Sequence, residues 1–427
     1  MTTRSDPGRP FGMRRALTAA VLSLSIAVSG ASMAAPAMAD SSGGPVTDTN
    51  FGMHIPQISQ GEQTSVNEGS VRLWDSGVAW GQVEQAKGKY WWNGLDAAIA
   101  NANAQNLQIL YVLGSTPKWA ASKTKQGKYP NKGAASMPKN IKDWKNWVTA
   151  VVKRYGNSID SYQIWNEANL KTFWEGTPEQ MATLTKEAYK IIRKYDPTAK
   201  VVAASTTVRL QSAYKKFFPK YLKALKKAKW PVDVISFHGY PAANGTPADR
   251  VTYIKQVQAD MKKGKVPASK PLWDTEVNYG IAGPGSNPRR VITGPTAAAW
   301  TAATYLDDVL YNVDRGYWYY WYNNSNLVGI QMYNGTEGAV GYQTARNWLS
   351  GSFYSCTEGA NGQPNVCQFG DNTTPDVVAW LDSGSATFTV PANVTQTCDA
   401  LNQCTPVAPG SQVTIGSMPQ WFGNPAS

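Results

Sequence analysis

The sequence predicts an α/β protein: a (β/α)8 TIM barrel followed by a small C-terminal β-rich module. Three observations predict it. Between residues 50 and 350, short apolar runs alternate with amphipathic stretches of helical period. Two of those runs, Tyr162–Glu167 and Pro271–Glu276, stop abruptly at a glutamate; parallel barrels carry their chemistry at the carboxyl ends of the strands. Beyond residue 350 the helical period disappears, and short alternating runs separated by turn residues take over at 377–381, 386–390 and 412–415.

The chain opens on Arg14-Arg15, an apolar and small-residue stretch from Ala16 to Val28, and Ala37-Met38-Ala39 before Asp40. This is the pattern of a secretory signal peptide over residues 1–39, cleaved near Ala39, with Met13 as an alternative start. The apolar stretch is too short to span a bilayer, and no later window supplies the roughly 18 apolar residues a span needs. A secreted, extracellular protein with no membrane span is therefore expected. Residues 40–49 are polar and rich in Gly and Ser, as in a disordered lead-in.

The barrel strands are expected at 50–55, 70–74, 108–113, 162–167, 200–204, 232–237, 272–275 and 317–320. Helices fall between them. Tyr90–Gln105 is one. Met137–Tyr155 is another, with Trp144, Trp147, Val148, Val151, Val152 and Tyr155 at i, i+3, i+4, i+7, i+8 and i+11. Thr177-Pro178-Glu179-Gln180 starts a third: a capping Thr, Pro at the first helical position and Gln at the third. Ala248–Lys263 and Thr296–Tyr311 complete those with clear signals. The stretch 351–427 forms the β-rich module.

The net charge is +12. Much of it lies in Tyr214–Lys229, where seven lysines surround Phe217, Phe218, Tyr221, Leu222 and Leu225. A solvated helix face accounts for this pattern; attraction to an anionic cell wall or an acidic glycan is the functional alternative. No recognition motif accompanies the charge, so no nucleic acid partner is expected. The four cysteines all lie between 356 and 404. Of the three possible pairings, Cys356 with Cys367 and Cys398 with Cys404 close the shortest loops. Zinc fits less well, because neither spacing is a usual ligand pair and the two histidines, His54 and His238, lie far away. No metal and no cofactor are expected.

Cleaving a glycosidic bond takes one carboxylic acid to protonate the leaving oxygen and one carboxylate to attack the anomeric carbon or activate water. Glu167 and Glu276, at the ends of the fourth and seventh strands, meet that requirement across one barrel mouth. Trp165-Asn166-Glu167 and Glu276 resemble the signature of the clan A retaining glycoside hydrolases. Arg72, Asn166, His238, Tyr240 and Trp321 match positions of family 5. Arg72-Leu73-Trp74, Trp80, Tyr90-Trp91-Trp92, Leu95-Asp96 and Thr116-Pro117-Lys118-Trp119-Ala120 are most similar to family 39. The similarity covers Asn50–Ser350. It departs from the pattern at Gly114–Thr116, where family 5 has a histidine, and at Ala168, where a proline usually follows the acid.

The resemblance implies Glu167 as acid/base and Glu276 as nucleophile, with Arg72 and Tyr240 holding Glu276 ionised and Asn166 bonding the sugar 2-hydroxyl. His238 and His54 fall at strand tips, as site residues or as hydrogen-bonded structural groups. Among 17 tryptophans, Trp80, Trp119, Trp174 and Trp321 follow strand ends, where flat rings can stack on sugars; Trp144 and Trp147 belong to the core. The function expected is a secreted retaining glycosidase that cuts inside a polysaccharide. The alternatives are an exo-acting enzyme of the same clan, releasing a pentose or a disaccharide, and a catalytically silent glycan-binding protein.

Overall fold

The computed structural model describes residues 40–124, 127, 129–283, 288–370 and 375–424. The expected signal peptide, 1–39, lies outside them. The first strand, β1 (Asp40–Gly43), pairs with a strand far along the chain. Eight strands then build the barrel: β2 (Phe51–Met53), β3 (Ser70–Leu73), β4 (Gln108–Val112), β5 (Ser161–Gln163), β6 (Lys200–Val202), β7 (Ile235–His238), β8 (Leu272–Val277) and β9 (Val313–Trp318). All ladders among them are parallel, in the order β6-β5-β4-β3-β2-β9-β8-β7. Isolated bridges Val202–Val234 and Thr207–His238 close the remaining seam between β6 and β7.

The helices are α1 (Trp80–Val83), α2 (Asn93–Ala104), α3 (Ile141–Tyr155), α4 (Pro178–Tyr195), α5 (Gln211–Lys227), α6 (Pro247–Gly264), α7 (Pro295–Leu310) and α8 (Glu337–Leu349). The α3 helix begins at 141 and not at 137 because Pro138 disfavours helix in the residue before it. Asn140 then caps the helix, accepting from the Lys142 amide at 2.9 Å. In α4, Thr177 and Gln180 form the expected reciprocal cap, at 3.2 and 2.8 Å. All seven lysines of the 214–229 stretch are exposed, while Tyr214, Phe217, Phe218, Tyr221, Leu222 and Leu225 face inward.

After α8 come β10 (Tyr354–Thr357), β11 (Asn365–Phe369), β12 (Asp376–Trp380), β13 (Ala386–Thr389), β14 (Gln396–Asp399), β15 (Cys404–Pro406), β16 (Gln412–Ile415) and β17 (Gln420–Gly423). Seven strands form one sheet, β1-β10-β11-β12-β17-β14-β15, and β13 pairs with β16. This corrects the reading of 40–49 as a disordered lead-in. Asp40–Gly43 is short and polar, but an open edge at β10 offers it a full antiparallel register, so the backbone groups on that side are paired despite a composition typical of loops. The sheet covers α7: the Ser41 hydroxyl donates to the Val309 carbonyl at 2.9 Å and the Trp380 indole to Asp307 at 3.1 Å. That cover is why α7 is buried all round from Ala297 to Leu310.

Both disulfides form as expected, Cys356–Cys367 and Cys398–Cys404, each joining residues directly opposite in adjacent strands. Closing loops with separations of 11 and 6 residues stabilises by about 2–3 kcal/mol each, chiefly through the unfolded chain. Reduction should therefore lower the melting temperature and open β10–β17 to protease before the barrel. Equal melting temperatures with and without reductant would contradict this.

Candidate active site

A polar layer inside the barrel supports the site. Arg72, on β3, is fully enclosed and spends its donors on three neighbours: Nε on Gln163 Oε1 (2.7 Å), Nη1 on Glu276 Oε1 (2.6 Å) and Nη2 on Asn166 Oδ1 (2.7 Å). Gln163, on β5, passes the network on through its amide to Ser236 (2.9 Å) and Thr275 (3.1 Å). Because the Asn166 oxygen accepts from Arg72, its NH2 is left as the group presented to the cleft.

Above this layer stand Glu167 and Glu276. Glu167 follows β5 in a left-handed conformation, φ 41°, which costs a non-glycine residue about 1 kcal/mol or more. Its backbone is pinned: its N–H donates to the Ser205 hydroxyl, the Ala168 N–H to the Ser205 carbonyl, and Asn169 exchanges two bonds with the Thr207 backbone. Glu276, in β8, accepts from Arg72 and, at 2.9 Å, from the Tyr240 hydroxyl. His238 Nδ1 lies 3.1 Å from Glu167 and 3.3 Å from Glu276. Burial lowers His238 to about 3, so the ring is neutral; with both acceptors at Nδ1, the proton sits there.

Burial raises Glu167 to about 7, against the opposing charges of Arg209 and Arg72. Burial raises Glu276 as well, but His238 and Arg72 oppose it; it also has two strong donors in contact, which favour its charged form. One oxygen of each carboxylate and His238 Nδ1 all lie within 4.8 Å of one another. Among the described residues this trio is the group that could offer ligands to a metal, yet Arg72 already sits on Glu276, so a cation there would meet a positive charge.

The sequence profile of Glycosyl hydrolases family 39 matches residues 75–320. The chain belongs to that family. A β-xylosidase of Caldicellulosiruptor saccharolyticus is 31% identical over 137 residues, 30% of this chain and 27% of the relative. A β-xylosidase of Geobacillus stearothermophilus is 25% identical over 154 residues, 34% of this chain and 30% of the relative. The chain thus matches less than a third of the length of either. A family 39 structure from Bacteroides cellulosilyticus superposes with TM-score 0.64 at 17% identity, covering 88% of this chain and 82% of that one. A family 39 β-xylosidase from Caulobacter crescentus gives 0.62 at 16%, covering 89% and 97%. These two share the fold.

In this family 39 chain, Asn166, Glu167, Tyr240 and Glu276 line a cleft of about 1030 Å³, with Arg72 and His238 enclosed beneath them. The tryptophans expected there are elsewhere. Trp80 is 0% exposed; it packs among Trp119, Trp144 and Trp147 and donates to Glu84 at 2.7 Å. Trp119 turns to the Glu84 carbonyl at 2.8 Å, and Trp321, 4% exposed, to Glu62 at 3.3 Å. Trp174 lines a neighbouring cavity. His54 is buried below the cleft, donating Nε2–H to the Thr275 carbonyl at 3.0 Å. In each case an indole or imidazole N–H found an acceptor inside the protein, which turned the ring away from the catalytic cleft.

The aromatic lining of the family 39 cleft is instead Trp74, Tyr129, Phe173, Tyr240, Tyr319, Tyr320 and Tyr322. With them stands Asp75, accepting from Tyr129 and Tyr319, both at 2.5 Å. Trp74 was within reach of sequence reading, since it lies two residues beyond Arg72, in the period of that strand's inward face and just past its end. Tyr129 and Phe173 come from irregular loops, which carry no period to read.

Proposed function

We propose that this protein is a secreted retaining glycoside hydrolase that cuts inside a polysaccharide, with Glu167 as acid/base and Glu276 as nucleophile. The observation that carries the reading is the close approach of the two carboxylates, one oxygen of each lying within 4.8 Å of the other. Retaining enzymes hold theirs about 5–5.5 Å apart, and inverting enzymes about 6.5–9.5 Å, to admit a water. In the first step, protonated Glu167 gives its proton to the leaving oxygen while Glu276 attacks the anomeric carbon. In the second, Glu167, now ionised, deprotonates a water that frees the sugar from Glu276. In this reading the Asn166 amide donates to the 2-hydroxyl, and the cleft rings stack on sugar faces. Two buried carboxylates, both raised by burial and facing one cleft, argue against a silent glycan-binding protein.

The cleft volume of about 1030 Å³ exceeds what one sugar ring needs, which favours internal cleavage. The exo-acting alternative is favoured by the two curated relatives, both β-xylosidases. Timed product analysis on xylan and on plant, fungal and bacterial wall glycans separates them: internal cleavage gives mixed oligomers early, terminal cleavage a single small product.

We further propose a division into signal peptide (1–39), catalytic barrel (50–350) and packed β module (351–427). Secretion is supported by the two disulfides. No helix among the described residues is long and apolar enough to cross a membrane.

Arg72 has a separable role in this scheme. Arg72→Met removes the charge beside buried Glu276, so the acidic limb of kcat/KM should move up by about one pH unit or more and stability should fall by about 3 kcal/mol or more. An unmoved acidic limb in a folded variant would rule this role out.

A further inference from the structure

A second cavity, of about 790 Å³, adjoins the catalytic cleft and shares Lys171, Arg209 and Leu210 with it. Ala168 and Asn169, the residues next after Glu167, belong to its wall. It therefore lies on the side of the acid/base, where the leaving group departs. Four cations, Lys171, Arg209, Lys216 and Lys220, line it, and no carboxylate does among the described residues.

The remaining lining suits a sugar carrying negative charge. Gln211, Ser212 and Ala213, the first three residues of α5, form part of the wall. No side chain caps that helix end, so its partial positive charge adds to that of the four cations. Arg209 donates from Nη1 to the Gly283 carbonyl at 3.0 Å, while its buried Nε–H has no partner. Half-buried Pro178 supplies apolar surface for a ring, with the buried Trp174 and Phe217 packed behind it. The nearby acid Glu179 is held below its usual range by hydrogen bonds from its own backbone and Thr177, and to a smaller extent by Lys220 and Lys223; it does not line the cavity.

We propose that this cavity is a leaving-group-side subsite for a sugar bearing an anionic substituent, a uronate carboxylate or a sulfate ester. The proposal rests on the assignment of Glu167 as the acid, since that fixes which side the leaving group occupies. It divides the lysine-rich helix in two: Lys216 and Lys220 serve the subsite, and the remaining lysines are solvated surface.

The test is direct binding by calorimetry to full-length Glu276→Gln protein, which does not turn substrate over. The probes are a uronate oligosaccharide, a sulfated one and a neutral one of equal length. At about 50 mM salt the acidic probes should bind at least about tenfold tighter than the neutral one, and the margin should shrink at about 500 mM as the charges are screened. Lys216→Ser/Lys220→Ser should cut the margin at least about threefold, Lys171 and Arg209 holding the remainder; Lys223→Ser/Lys226→Ser, on the same helix but outside the cavity, should keep it. Whichever acidic probe binds tighter names the anion. Equal affinities for acidic and neutral probes, or equal losses in the two double variants, would overturn the subsite. Wild-type hydrolysis is scored separately, so an inactive enzyme that keeps the acidic margin counts against the catalytic reading and not against the cavity's preference for anions.

Discussion

Glu276→Gln should lower kcat at least about 10⁴-fold, the scale on which removing a covalent nucleophile acts. Gln keeps the shape and an acceptor oxygen for Arg72, so the variant should fold, though with reduced stability, because a buried guanidinium has lost its counter-charge. The loss then belongs to chemistry, and a second variant separates it from damage to the site. In Glu276→Ala an added small anion such as azide can attack in place of the missing carboxylate. It enters from the face Glu276 vacated, so the glycosyl azide should have inverted configuration. A Glu276→Gln variant within tenfold of the parent, or an azide product of retained configuration from Glu276→Ala, would remove Glu276 from the nucleophile's place.

The second large effect concerns Glu167. Glu167→Gln should lower kcat/KM about 10²–10⁴-fold on substrates whose leaving group needs a proton, and far less on aryl glycosides whose leaving group departs as a stable anion, although kcat should fall on both because the second step loses its base. The sign of the pH dependence follows from the acid's duty. Glu167 must be protonated for the first step, and burial places its pKa at about 7. In the wild type, kcat/KM should therefore fall as pH rises through about 7, tenfold per unit above it. In Glu167→Gln that limb should vanish. Persistence of the limb in the variant would assign it to another group.

Much of this was legible in the sequence. The eight strands and most helix ends follow from periodicity and from local chemistry such as Thr177-Pro178-Glu179-Gln180, whose cap forms as read. The disulfides follow from short loops. The two glutamates could be placed because a strand that ends in a carboxylate has only one end of a parallel barrel to stand on. What the sequence withheld was direction. Trp80 and Trp321 also follow strand ends, but of the three only Trp74 lines the cleft. The difference is made by Glu84 and Glu62, acceptors that draw the first two rings inward. The strand Asp40–Gly43 was unreadable for another reason. It has no pattern of its own and exists because β10, more than 300 residues on by number, presents a free edge. The basic cavity, likewise, joins Lys171 and Arg209 from barrel loops to Lys216 and Lys220 of α5, and no local window contains all four.

If Glu276 attacks the sugar directly, the configuration of the first product reveals it most simply. Proton NMR of a fresh hydrolysate, recorded before mutarotation, resolves the anomeric protons of the released reducing end. With one oxygen of each carboxylate within 4.8 Å of the other, two successive displacements should return the sugar with its original configuration. A first product of retained configuration supports the covalent route through Glu276; an inverted first product would contradict it.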